Sequence, residues 1–443
     1  MERTKNQSIL KGAATIAAGG LIAKLIGAFY RIPLTNLIGG EGIGLYQLVY
    51  PLYCLLLTVS ATGIPSSIAT LTARRLEKGE SARPLFSVCM RLFLSIGGVS
   101  TLLMALLAPV LSAAQGERGL VSGYLALAPS VLLVSAISVF RGYFQGRGDM
   151  LPTAASEVLE QAVKVGAGLL AAFALRGNLF AAVTGLLFAV TLSEGAALLF
   201  LFFRFRRVPA PSKLQNIGEK LSVKSVLRLS ISVTLSACLI PLSGMVDSIL
   251  LVRLLRRHTQ NAVSLYGLFS GGAVTMINLP VSVCYGIAAA TVPALSAAVA
   301  RGEGVRKKLT DALALTLILG ALAATSLTLF ASPAVHILYG ALDGTQAATL
   351  IGLVKTHAIS TLFLSATQTL SACLTALGKP VLAAVSMGVA MTVKTLVSVF
   401  LVANPSISVR GAAIAANFGY AISFLLDLFF ALLCVRKREK GLT

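Results

Sequence analysis

The chain has 443 residues, of which 56% are hydrophobic and only 12% charged, with a mean hydropathy of +0.87. A single water-soluble core cannot hide that much apolar surface, so the composition excludes a soluble globular protein and indicates an integral membrane protein. The formal charge of +21 sits on Lys and Arg placed mainly between hydrophobic runs, where it is a topology signal and not a nucleic-acid footprint.

Apolar runs of membrane-spanning length recur along the whole chain, which specifies an all-α polytopic bundle and not the alternating strands of an outer-membrane barrel. The first run is too long for a signal-peptide core and is read as a retained span. About twelve transmembrane helices are expected, the first six at 9–37, 44–70, 85–113, 119–140, 152–175 and 178–203. After a basic linker come 225–252, 262–298, 307–331, 346–377, 380–402 and 411–434. The first, second and eighth exceed what a hydrocarbon core of about 30 Å requires, so tilt or breaks are expected there.

Basic residues set the orientation. Arg3, Lys5 and Lys11, then Arg74, Arg75 and Lys78, then Arg141 and Arg147, the linker and the C-terminal tail fall on one side. Both termini are therefore expected in the cytoplasm of a bacterial plasma membrane, and only the Arg253, Arg256 and Arg257 group disagrees.

The organisation read from this pattern is an N-terminal six-helix lobe (1–203), a cytoplasmic basic linker (204–224) and a C-terminal six-helix lobe (225–443). The halves repeat weakly. Leu45-Tyr46-x-Leu48 recurs as Leu265-Tyr266-x-Leu268 and Gly63-Ile64 as Gly286-Ile287, while Gly148 falls on Gly378 and Lys164 on Lys394 at one common shift. Both halves run in the same direction, which implies a pseudo-two-fold along the membrane normal and lobes that rock about a cleft. Gly97-Gly98, Gly166-x-Gly168 and Gly271-Gly272 are read as close helix packing.

Charges inside spans carry the functional reading, because one at the bilayer centre costs roughly 2.5–3.5 kcal/mol on insertion scales. Lys24 and Arg31 lie about two helical turns apart on one face of the first span. With Lys164 and Lys394 they form a candidate cationic lining of a central cavity, suited to phosphate oxygens. Asp247, Glu160 and Glu157 are candidate counter-charges or coupling groups, and the repeat sets Asp247 opposite Arg31. Arg91, near one end of its span, is a secondary candidate that can snorkel. Glu194 and Asp427, late in their spans, are read as interfacial, and Pro33 is expected to kink the first span. Six scattered Cys without ligand spacing and three distant His indicate no metal or cofactor, and no phosphate-binding loop for ATP hydrolysis is present, so no enzyme is expected.

Three stretches carry a family resemblance: Lys24 to Thr35 followed by Gly-Gly-Glu-Gly-Ile-Gly-Leu-Tyr-Gln (39–47), Phe140-Arg-Gly-Tyr-Phe-Gln-Gly running on to Thr153, and Arg410-Gly-Ala-Ala-Ile-Ala. They resemble the stage V sporulation protein B group, among the polysaccharide exporters of the multidrug/oligosaccharidyl-lipid/polysaccharide (MOP) flippase superfamily. That resemblance implies a monomeric, MATE-like flippase with Lys24 and Arg31 in its cavity. It would carry an undecaprenyl-pyrophosphate-linked envelope precursor, lipid II-like or a polysaccharide repeat unit, to the outer leaflet, among membrane lipids and driven by Na⁺, H⁺ or membrane potential. Two alternatives remain: a cation-coupled multidrug exporter of the same superfamily, and a membrane scaffold for envelope synthesis.

Overall fold

A membrane interior offers backbone N–H and C=O groups no water, so each span must close its own hydrogen bonds. The computed structural model describes residues 2–61, 63–208, 237–301 and 304–439. The first half contributes α1 (Glu2–Ala61), α2 (Ile64–Glu77), α3 (Arg83–Gln115), α4 (Val121–Gly146), α5 (Leu151–Ala174) and α6 (Leu179–Arg206). The second contributes α7 (Leu239–Leu255), α8 (Ala262–Gly267), α9 (Val274–Arg301), α10 (Val305–Leu329), α11 (Ala331–Leu338), α12 (Gly344–His357), α13 (Ser360–Ala376), α14 (Pro380–Val402) and α15 (Arg410–Glu439). No strand occurs among the described residues. There, eight helices are long and apolar enough to cross a membrane, or nine when the bent pair α12–α13 counts as one span. The chain is an all-helical, multi-pass membrane protein. The expected seventh span lies partly outside the described residues, which resume before α7.

The breaks have local causes. The first expected span and the first part of the second, which continues into α2, merge into α1, whose backbone leaves helical geometry at Gly39 (φ 69°, ψ −177°) and not at Pro33; only glycine adopts that left-handed geometry without strain. The expected eighth span is interrupted by a π-helical stretch, Leu268–Ala273, before α9 begins. Between α12 and α13 the axis bends by 46°. Gly148 (φ 79°) and Gly378 (φ 77°), matched in the repeat, make the same left-handed turn beyond α4 and α13. Asp343 caps α12: the Thr345 hydroxyl, at 2.6 Å, and the Gln346 N–H, at 2.7 Å, hold its carboxyl below the usual carboxylate range.

The helices gather into two compact units, one of Met1–Gly27 with Val49–Leu242, the other of Ala28–Leu48 with Ser243–Thr443. The first is centred on aromatic rings: Phe86 stacks on Phe205 at 4.3 Å between centroids, Phe140 and Tyr143 close around them, and the Arg83 guanidinium lies over Phe205. The second packs Leu295, Leu309, Leu370, Leu374 and Ala431 into its core.

In the second unit the two repeated Leu-Tyr-x-Leu stretches meet each other. A Cβ on Gly44 would lie 2.1 Å from the Val263 carbonyl oxygen, and one on Gly267 would lie 2.2 Å from the Gly40 carbonyl oxygen. The backbones touch, fastened by Gln47 Nε2 donating to Ser270 O at 3.0 Å and the Tyr266 hydroxyl donating to Gln47 O at 3.4 Å. Gly44→Ala is therefore expected to destabilise the fold by about 1–3 kcal/mol or more, since neither backbone can yield to a methyl group. Thermal unfolding in detergent checks this against Gly98→Ala, where a Cβ meets nothing within 4 Å. Equal midpoints for the two variants would contradict the crossing.

Candidate substrate-binding site

In the first unit the polar face of α5 gathers the site. Glu157, Glu160, Gln161 and Lys164 recur at helical spacing, so one face presents them together. They line a cavity of about 450 Å³ with Tyr50 and Tyr53 of α1, Arg141 of α4 and Glu194 of α6. Glycines of α1 let this face approach: a Cβ on Gly20 would lie 3.6 Å from a Glu157 carboxylate oxygen, and one on Gly27 would lie 3.1 Å from Gln161 Oε1 and 3.9 Å from Lys164 Nζ.

Arg141 and Glu160 form an ion pair at 3.1 Å, and Arg141 Nε also donates to Ser156 Oγ at 3.0 Å. Gln161 Nε2 donates to the other Glu160 oxygen at 3.2 Å. Glu194, 3% exposed, accepts from the Tyr53 hydroxyl at 3.2 Å and lies within electrostatic reach of Glu160, Arg141 and Lys164. This cavity holds Arg141 and Lys164 against three carboxylates, so its lining is of mixed charge.

Two of these residues stand differently from their sequence reading. Arg141, expected in a loop after a span ending at 140, lies inside α4, which continues to Gly146. Phe140, Tyr143 and Phe144 are the signal: they prolong the apolar face at i, i+3 and i+4 and are buried. Glu194, expected at the interface, is buried because neighbouring helices cover it, with Tyr53 of α1 donating to its carboxylate.

The second unit holds Arg31. The guanidinium is half-buried, and Nη1 donates to Thr275 Oγ1 of α9 at 3.0 Å. It makes no ion pair with a carboxylate among the described residues. Its segment is fixed by Asn36, which donates to Leu338 O at 2.8 Å and accepts from the Ala341 N–H at 3.4 Å. Asp247, which the repeat sets opposite Arg31, pairs instead with Lys394. Lys394 is 8% exposed, and its ammonium also donates to Ser243 Oγ at 2.8 Å, so α14 and α7 are joined by a closed ion pair. Arg91 is exposed on α3 and donates to Ser87 O of its own helix at 3.4 Å. The Lys24 backbone is part of α1, and its side chain lies outside the described residues.

The family described as "Polysaccharide biosynthesis protein" matches residues 9–299. Stage V sporulation protein B of Bacillus subtilis (strain 168) is 30% identical over 437 residues, covering 95% of this chain and 83% of that protein. The lipid II flippase MurJ of the same organism is 26% identical over 230 residues, covering 48% of this chain and 42% of that one. Among solved structures, the inward-facing conformation of a multidrug resistance MATE family transporter of the MOP superfamily aligns with a TM-score of 0.79 at 16% identity, over 94% of this chain and 96% of that one.

Proposed function

We propose, because the chain belongs to the polysaccharide biosynthesis protein family, that it is an alternating-access flippase for an undecaprenyl-pyrophosphate-linked envelope precursor. The observation that carries this reading is Arg31: a half-buried guanidinium held by a neutral hydroxyl, with no carboxylate paired to it among the described residues. A cation so placed in a membrane-spanning segment favours an anionic ligand, and the planar fork of Arg matches phosphate oxygens. Within the first unit, Lys164 is a separate candidate cation, in the polar cavity of that unit. The similarity to a sporulation protein and to a lipid II flippase supports a lipid-linked cargo.

The test is native mass spectrometry of the full chain in detergent with undecaprenyl pyrophosphate, undecaprenyl phosphate and an uncharged prenyl alcohol offered together. Selective retention of the pyrophosphate lipid is expected, and equal retention of all three would overturn the proposal. One observation favours a second reading. Glu157, Glu160 and Glu194 share a cavity, which suits the cationic cargo of a multidrug exporter. Resistance to cationic drugs in a transporter-deficient host, lost in Glu194→Gln, would favour that reading.

A further inference from the structure

An open cleft of about 620 Å³ in the second unit lies where α10 begins and α15 ends. Both helices are long and apolar enough to cross a membrane, over Val305–Leu329 and Arg410–Arg438, so the cleft sits at a membrane boundary. Its floor is apolar: Val305 and Val435 are buried in one core cluster, which holds the start of one helix against the end of the other. Its walls are basic. Arg306, Lys307 and Arg438 line it against one described carboxylate, Asp311. All three cations are exposed, and none makes an ion pair among the described residues.

Local structure does not account for this charge. The positive end of a helix dipole lies at the N-terminus, where cations are disfavoured and carboxylates favoured. The first turn of α10 has the reverse, Arg306 and Lys307 with no acidic residue. Its cap position is Gly304, which has no side chain to accept from the first N–H groups, so dipole, guanidinium and ammonium all present positive potential to one cleft. A topology signal requires cations on this side of the membrane, but it does not require them to crowd, unpaired, around a helix N-terminus. An anion in the cleft removes the repulsion between α10 and the basic end of α15, Arg436–Arg438.

The surface below the cleft selects the kind of anion. Lys307, Asp311, Leu315, Ile318 and Leu322 follow at intervals of three and four residues, so one face of α10 runs from the cleft along the span. Leu315, Ile318 and Leu322 are 48%, 58% and 60% exposed. On α15, Leu425, Phe429 and Leu432 are exposed as well, and Arg436 continues their face. Cations above and bare apolar side chains beneath match a phosphate headgroup that carries acyl chains; a soluble phosphate would use only the upper part. We propose that the cleft of Arg306, Lys307 and Arg438 binds the headgroup of an anionic phospholipid whose acyl chains lie along α10 and α15. The site is apart from the one proposed for cargo: Thr275, which holds Arg31, stands at the start of α9, and the cleft lies beyond its other end.

The experiment is native mass spectrometry of the full-length protein, delipidated in detergent and titrated with phosphatidylglycerol or with phosphatidylcholine of the same acyl chains. Phosphatidylglycerol is expected to bind about ten-fold or more tightly than phosphatidylcholine, and glycerol 3-phosphate is expected not to displace it. The triple variant Arg306→Gln, Lys307→Gln, Arg438→Gln is expected to lose the tightest phosphatidylglycerol adduct, with affinity down about hundred-fold. Asp311→Asn is expected to raise the affinity, a gain that misfolding cannot produce. Arg206→Gln with Arg207→Gln, exposed at the end of α6 in the first unit, is expected to keep the wild-type response. Equal retention of the two lipids, wild-type retention in the triple variant, or an equal loss in the α6 variant would each overturn the proposal. Displacement by glycerol 3-phosphate would overturn it in favour of a soluble phosphate.

Discussion

Lys394→Ala is expected to lower the unfolding free energy by about 3–5 kcal/mol, the cost of stripping one partner from a buried ion pair. Lys394 and Asp247 have side chains 10% and 11% exposed, so solvent screens the pair little. Asp247 Oδ1 already lacks a hydrogen-bond partner among the described residues, so removing the ammonium leaves a nearly naked carboxylate between α7 and α14. Replacing both groups, as Lys394→Met with Asp247→Leu, is expected to recover most of the loss, because two apolar side chains incur no charge desolvation. A double-mutant cycle on unfolding in detergent measures the coupling. If the double variant is no more stable than Lys394→Ala, the pair is not the reason the lysine is tolerated there.

Arg31→Ala is expected to do the reverse, leaving the fold nearly unchanged while removing transport. The hydrogen bond it loses is to the neutral Thr275 hydroxyl, and no described carboxylate is left unpaired. A charge-assisted hydrogen bond to a pyrophosphate is worth about 1.5–3 kcal/mol, so affinity should fall about ten- to hundred-fold. Arg31→Lys should recover only part of it, because an ammonium lacks the bidentate fork. Lys164→Ala should also reduce translocation. Appearance of a labelled pyrophosphate prenyl lipid in the outer leaflet of reconstituted vesicles, alongside circular dichroism and unfolding midpoints, separates binding from folding. Wild-type translocation in both Ala variants would remove these residues from the proposed site.

The helical, multi-pass class was legible because apolar runs of span length have few alternatives in lipid. The expected span 380–402 coincides with α14, Pro380–Val402, where a proline opens the helix at its N-terminus. Less legible were groups whose setting depends on distant residues. The repeat sets Asp247 opposite Arg31, and only packing assigns it to Lys394. Arg141 was hidden because a charge after an apolar run reads as a span end; the aromatic spacing of Phe140, Tyr143 and Phe144 was the better guide. Glu194 and Asp427 stand late in their helices, and depth along a sequence does not reveal that neighbouring helices cover them.

The route of α1 has a consequence for how the protein is made. Residues up to Gly27 belong to the first unit, Ala28–Leu48 to the second, and the chain returns to the first at Val49. The second unit therefore waits for all of its C-terminal residues while one of its packing elements, emerging early from the ribosome, has nothing to dock on. Until α8 and the π-helical stretch are synthesised, Ile43 and Gly44 lack their contacts with Gly271 and Val263. A fragment that begins at the linker lacks the element that carries Gly40 and Gly44, so it is expected not to fold as an autonomous module unless that segment is supplied in trans.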